Sequence, residues 1–295
     1  MLVGTGNVGT SVAYTLVNQR TAVNELILTD INQADAEGEA MDLEDALAVA
    51  PSYLKIRAGN YSDAKDADIV IITAGAPQKD QNETRLQLLD RNKAILKSIV
   101  DPIMASGFDG IFIVISNPVD ILAYYTWQYS GLPAEQVIGS GTILDSDRLR
   151  LRLGQRLGVH PKSVHAYMVG EHGDSELALW SSATVGGEPI NRLVDQSARD
   201  EIEKSVRNKA YSIIQKKGAT YYGIGAATAR IINCILSDER RILPVSSLDD
   251  YADLYNGWPA VIGRHGIIRR LNLELSEQEG IKFEQSNNAL RAIIE

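Results

Sequence analysis

Apolar positions fall into two alternating kinds of block through the first half of the chain. Short runs with no polar face, such as Ile69-Val70-Ile71-Ile72 and Ile111-Phe112-Ile113-Val114, alternate with longer stretches whose apolar residues recur at helical spacing. A run apolar on both faces suits a central parallel strand, and a three-and-four spacing suits a helix laid against it. Residues 25–29, 55–58, 67–74, 110–116 and 137–139 are therefore predicted strands, and 34–48, 86–105 and 118–129 predicted helices. Strand–helix alternation implies right-handed crossovers and a parallel sheet. The pattern then changes. A helix opens at Ile143, residues 164–169 read as one strand, and 177–190 as paired strands around Gly186-Gly187. Helices are predicted over 195–217, 220–236 and 276–294, with strands over 241–245 and within 258–275. The expected class is α/β: a doubly wound parallel sheet over residues 1–140, followed by an α+β part over 141–295.

Polar residues punctuate this pattern at the strand ends. Asp30, Gly75, Gln78, Asn117 and Ser140 all lie at or just past predicted C-terminal strand ends, the edge where an open parallel sheet carries its ligand. The sharpest of these features is Gly4-Thr5-Gly6-Asn7-Val8-Gly9, followed by helical spacing at Val12, Ala13, Leu16 and Val17, a strand, and Asp30, 21 residues after Gly9. In a dinucleotide loop Gly4 makes the tight turn, Gly6 lets backbone approach a pyrophosphate, and Gly9 lets helix and strand pack closely. Phosphates sit at the helix N-terminus, and the acid takes the ribose hydroxyls. Asp30 would repel a 2′-phosphate, so NAD is favoured over NADP. Three residues precede Gly4, fewer than a usual strand; the natural chain is expected to begin upstream.

Composition narrows the class. The 295 residues suffice for two domains, 44% are hydrophobic, and the net charge is −9. No basic run points to nucleic acid, and no run of about 18 apolar residues points to a transmembrane helix. Cys234 is the single cysteine, so no internal disulfide forms, which fits a reducing compartment; with no targeting segment, the expected location is the cytoplasm. No metal-ligand spacing stands out.

Candidate chemistry in the second part centres on Gly170-Glu171-His172-Gly173-Asp174-Ser175, where a strand should give way to a loop. A histidine there suits proton exchange near neutral pH, or is simply a solvated turn residue. Asp145 and Arg148, three apart, share a helix face, either as a structural ion pair or as an orienting acid beside a carboxylate clamp. Arg150 lies roughly 200° from Arg148 around the helix. His165 is seven residues before His172, roughly 23 Å away if the segment is extended, so it is structural or belongs to a second site with Arg150. The polar stretch from Gln78 to Arg85 reads as a lid loop that could carry Arg85 over the cleft.

Together with Ile72-Thr73-Ala74-Gly75-Ala76-Pro77-Gln78-Lys79, Ser116-Asn117-Pro118-Val119-Asp120, Ser140-Gly141-Thr142 and Leu144-Asp145-Ser146 with Arg148, these motifs resemble the L-lactate/L-malate dehydrogenase family, its bacterial lactate members most closely. The resemblance implies an NAD-binding Rossmann domain and reversible hydride transfer between NADH and a 2-oxo acid. It implies His172 as the proton donor or acceptor, Asp145 as its orienting partner, Arg148 as the substrate-carboxylate clamp and Arg85 as the lid residue that polarises the carbonyl. Gln78, Asn117 and Thr220 match substrate positions; glutamine at 78 suits a small neutral side chain, as in pyruvate, where malate enzymes carry arginine. Gly4, Gly6, Asn7, Val8, Gly9, Asp30, Tyr61, Gly75, Ala76, Ser98, Ile115, Asn117 and Ser140 match cofactor-contact positions. Arg150 and His165 match a fructose 1,6-bisphosphate site shared between subunits, and the family implies a homotetramer acting in fermentative glycolysis. One departure stands out. Asp80-Gln81-Asn82 replaces the family's Pro-Gly and lengthens the lid by one residue, as in dehydrogenases of branched 2-hydroxy acids such as 2-hydroxyisocaproate.

Overall fold

The computed structural model of the chain describes residues 1–76 and 85–294, the side chains of residues 85 and 86 excepted. In chain order the elements are β1 (Leu2–Val3), α1 (Asn7–Val17), β2 (Glu25–Thr29), α2 (Gln33–Ala46), β3 (Lys55–Ala58), β4 (Ile69–Ile72), α3 (Arg85–Ala105), β5 (Ile111–Val114), α4 (Val119–Ser130), β6 (Val137–Gly139) and α5 (Ile143–Leu157). They continue with β7 (Val164–His165), β8 (Met168–Val169), β9 (Leu177–Ala178), β10 (Thr184–Val185), β11 (Glu188–Pro189), α6 (Ile190–Leu193), α7 (Gln196–Arg207), α8 (Lys209–Lys217), α9 (Tyr222–Leu236), β12 (Arg241–Asp249), β13 (Leu254–Gly263), β14 (Gly266–Arg270) and α10 (Glu277–Ile294).

The doubly apolar strands form the centre of the sheet, and their two-residue period decides which side each residue serves. Ile69, Ile71, Ile111 and Ile113 pack with Val12, Ala40 and Ile231 of α1, α2 and α9. Val70, Ile72, Phe112 and Val114 pack on the other side with Ile99, Ile103 and Ile121 of α3 and α4. Among the described residues the main sheet runs β14-β13-β12-β6-β5-β4-β1-β2-β3. The pairs from β3 to β6 are parallel, whereas β12, β13 and β14 join antiparallel at β6. Strand order reverses between β1 and β4, both of which run out at the same edge. A crevice opens where connections leave in opposite directions, and that edge holds the glycine turn and the loops after β4, β5 and β6.

Four predicted elements differ. Within 177–190 only β10 and β11 pair around Gly186-Gly187, while Leu177–Ala178 pairs with β8. The strand over 164–169 is two: β7 pairs with β10 and β8 with β9, in separate sheets. The helix over 195–217 is also two, broken at Asn208, where a side chain of poor helix propensity caps α7. β12 runs on to Asp249 and β13 starts at Leu254, because nine register pairs between them outweigh the polar composition of their hairpin end.

Candidate active site

At the cofactor edge, three glycines serve three different needs. Gly4 has φ +100°, and a Cβ there would stand 2.7 Å from the Ala74 nitrogen. A Cβ on Gly9 would stand 1.9 Å from the Gly4 carbonyl oxygen, so α1 packs directly on the turn. A Cβ on Gly6 would meet nothing within 4 Å, leaving open space in front of the α1 N-terminus, which no side chain caps. Uncapped N–H groups facing open space suit a pyrophosphate. Asp30 holds the turn in place: its Oδ2 accepts from Thr5 N at 2.8 Å and its Oδ1 from Asn32 N at 3.0 Å. Burial first, then the nearby Asp30 carboxylate, push the Tyr61 phenol up. These residues fit a dinucleotide.

The other predicted cofactor residues divide. Asn7 and Val8 open α1, while Gly75, Ala76, Ile115, Asn117 and Ser140 follow β4, β5 and β6 on the same edge. Ser98 sits on the exposed side of α3, its hydroxyl donating to Ile95 O at 2.7 Å. Sequence reasoning missed Asn92. Its buried amide accepts from Ala76 N at 2.8 Å and donates to Asn117 O at 3.3 Å, tying together the loops after β4 and β5. Its signal was a polar residue on the apolar stripe of Leu89, Leu96 and Ile99, all buried.

The second cluster forms where β8 ends. Thr142 Oγ1 donates to Met168 O at 2.7 Å, and Ser146 Oγ accepts from Met168 N at 2.8 Å, sewing β8 onto the start of α5. Gly170 and Gly257 exchange backbone hydrogen bonds of 2.9 and 2.8 Å, fixing the turn against β13. His172 N donates to Oδ2 of Asp120 at 2.7 Å. Asp120 is buried in the first turn of α4; burial, opposed by the Ser246 hydroxyl and the His172 N–H, pushes its carboxyl up to about 6. Sequence reasoning quoted Asp120 within a motif but gave it no role.

These anchors deliver His172 to Asp145. His172 Nδ1 stands 2.7 Å from Asp145 Oδ2, and Arg148 donates to Asp145 Oδ1 at 2.9 Å. The Asp145 side chain is 3% exposed and lies in the first turn of α5, where the helix dipole favours a carboxylate. Burial pushes Asp145 up, but the His172 charge and hydrogen bond, then Arg148, bring it below the usual carboxylate range. Burial draws His172 down, yet the Asp145 carboxylate and hydrogen bond overcome this and push it up to about 10. The imidazole is thus held as a cation with Nε2 left to exchange a proton. Thr220 is half-buried and follows Gly218, whose φ of +83° ends α8. Gln78 lies outside the described residues, as does the side chain of Arg85, whose backbone opens α3.

Arg150 turns away from this cluster. Its Nε donates to Ala166 O at 3.0 Å, its guanidinium lies 5.2 Å from the Tyr167 ring, and Asp147 stands 3.5 Å away while also pairing with Arg230 at 2.9 Å. His165 is exposed on β7, beside the backbone that Arg150 grips. Arg150 is thus held at the residue that follows His165, by partners other than His172 and Asp145.

A buried acid holding a histidine, beside a parallel-sheet crevice with a glycine turn, defines an oxidoreductase of the nicotinamide-dependent kind. The chain belongs to the lactate/malate dehydrogenase family: residues 1–139 match the family's NAD binding domain and residues 142–295 its alpha/beta C-terminal domain. It is 52% identical over 301 residues to L-lactate dehydrogenase 2 of Bacillus anthracis, covering 99% of this chain and 95% of that one. It is 50% identical over 297 residues to L-lactate dehydrogenase of Halalkalibacterium halodurans, with the same coverage of 99% and 95%. Among solved structures, a lactate dehydrogenase from a Medee basin deep-sea metagenome library superposes with a TM-score of 0.97 at 47% identity, covering 99% of this chain and 96% of that chain. The minor L-lactate dehydrogenase of Enterococcus mundtii in its ligands-bound form gives 0.95 at 47% identity, covering 99% and 96%.

Proposed function

We propose that the chain is an NAD-dependent L-lactate dehydrogenase that interconverts pyruvate and L-lactate. The observation that carries this reading is the single Asp145 carboxylate holding both His172 Nδ1 at 2.7 Å and Arg148 at 2.9 Å. One bond fixes the imidazole with Nε2 toward the cleft, and the other fixes a guanidinium beside it. Full-length relatives named L-lactate dehydrogenase support it.

Arg148 binds the substrate carboxylate through two parallel N–H···O bonds. His172 then gives its Nε2 proton to the ketone oxygen in reduction, and takes it from the alcohol in oxidation. Asp145 stabilises the imidazolium. Bound NADH supplies the hydride. Arg85 is assigned to the carbonyl oxygen as charge develops, Asn117 and Thr220 to the substrate's surroundings, and the glycine turn, Asp30 and the strand-end residues to the dinucleotide. Residues 1–140 thus hold the cofactor and lend Arg85 and Asn117 to the substrate, and residues 141–295 supply His172, Asp145, Arg148 and Thr220. Arg150 and His165 are read as a sugar-bisphosphate site, and the working unit as a homotetramer. A lone cysteine calls for no oxidising compartment, and the cytoplasm is the proposed location. No helix among the described residues is long and apolar enough to cross a membrane.

NADH oxidation measured with pyruvate, 4-methyl-2-oxopentanoate and oxaloacetate tests the reading. Preference for pyruvate supports it. Preference for the branched acid supports a 2-hydroxyisocaproate-type dehydrogenase, the reading favoured by the Asp80-Gln81-Asn82 sequence, which lies outside the described residues. No turnover with any of the three refutes both.

A further inference from the structure

One buried acid beside the reacting histidine has no part in the steps above. Glu176, 2% exposed, follows the turn that carries His172. One carboxylate oxygen each from Glu176 and Asp145 and a ring nitrogen of His172 lie within 4.8 Å of one another. Its backbone is pinned: the carbonyl accepts from Arg207 at 3.0 Å. Its carboxyl is not matched by a cation. No hydrogen-bond donor reaches the buried Oε2, and among the described residues no ion pair includes Glu176. The surrounding charges are committed elsewhere. Arg148 of α5 is bonded to Asp145, Arg207 of α7 to Glu203 at 2.9 Å, and Asp120 of α4 to the His172 N–H. Glu171 on the turn engages the Ser175 hydroxyl.

Two carboxyl groups this close cannot both ionise cheaply against one imidazole. Burial and the Asp145 charge push Glu176 well up, while His172 and Arg148 hold Asp145 down. The shared proton therefore belongs to Glu176, whose carboxyl lies beside that of Asp145. We propose that Glu176 is a positioning residue for the His172–Asp145 pair: as a neutral acid it donates to the Asp145 carboxylate, and on losing that proton it becomes a second buried anion that keeps His172 protonated further into the alkaline range. The proposal rests on the reading of His172 as proton donor. It adds a titrating partner to that reading: proton supply for reduction depends on two acids, not one.

The test is Glu176→Gln, whose amide still donates to Asp145 but never ionises. At neutral pH its kcat for pyruvate should stay within about threefold of wild type, because the donor is kept. The alkaline midpoint of reduction should fall by about one to two pH units, the effect of removing a nearby opposite charge from an imidazolium. Glu176→Leu should show the same alkaline shift and also lose about tenfold in kcat, since Asp145 then loses one of its donors. Thermal unfolding and NADH affinity of each variant separate this from misfolding. Nitrogen NMR of the His172 ring follows the same midpoint without turnover. Superimposable profiles for wild type and Glu176→Gln by both readouts overturn the proposal. A ring titration that shifts in an enzyme inactive on every 2-oxo acid upholds the coupling and overturns the catalytic reading instead.

Discussion

The place a Cβ of Gly9 would take is 1.9 Å from the carbonyl oxygen of Gly4, whereas a Cβ on Gly6 would meet no protein atom within 4 Å. The two glycines therefore fail differently. Gly9→Ala forces backbone apart and should lower stability by about 1–3 kcal/mol, read as a fall in Tm. Gly6→Ala should leave Tm unchanged and weaken NADH binding by about tenfold or more, read by fluorescence titration.

Asp30 both anchors Thr5 N at 2.8 Å and sets the charge at the ribose end of the groove. In Asp30→Asn the side-chain oxygen still accepts from Thr5, but the charge is gone. The ratio of kcat/KM for NADPH over NADH should rise by about tenfold or more. An unchanged ratio would remove Asp30 from cofactor selection.

His172→Gln removes the proton donor while keeping a polar side chain of similar reach. Pyruvate reduction should fall by about 10²–10⁴-fold, with NADH affinity retained. Asp145→Asn has a double effect, because the same carboxylate holds Arg148. It should lower kcat and raise KM together.

Arg148→Lys keeps the charge and loses the planar fork. One of two parallel bonds to the substrate carboxylate disappears, so KM for pyruvate should rise by about 10- to 100-fold with less change in kcat.

The pH dependence follows from His172, pushed up to about 10. Reduction needs the imidazolium, so it should persist through neutral pH and fall as pH rises through that value. Oxidation needs the neutral ring and should gain over the same window. The pair's contribution to stability carries matching signs. The His172 part is complete below its unfolded value near 6.5 and is lost as pH rises through the folded value. The Asp145 part is present above the unfolded carboxylate value and is lost as pH falls through its lowered folded value. Initial rates in both directions and Tm against pH check both statements. His172→Gln should abolish the alkaline component.

By itself the sequence determined the parts whose physics is local. Glu25–Thr29, Lys55–Ala58 and Val137–Gly139 are strands at the expected bounds, because composition and neighbouring turns suffice for short buried strands. The faces of β4 and β5, the glycine turn, and the shared face of Asp145 and Arg148 follow from periods of two and 3.6. Only the tertiary structure decided where distant segments meet. The run from Val164 to Val169 splits because Val185 and Leu177, which pair with its two ends, belong to different sheets. Asn92, Asp120 and Glu176 look like ordinary polar residues in the chain. Each matters because folding strips away its water and sets it against groups from distant segments: two loops, a backbone N–H, or another acid. A periodic pattern tells which side of an element turns inward; what waits there depends on contacts between residues far apart in sequence.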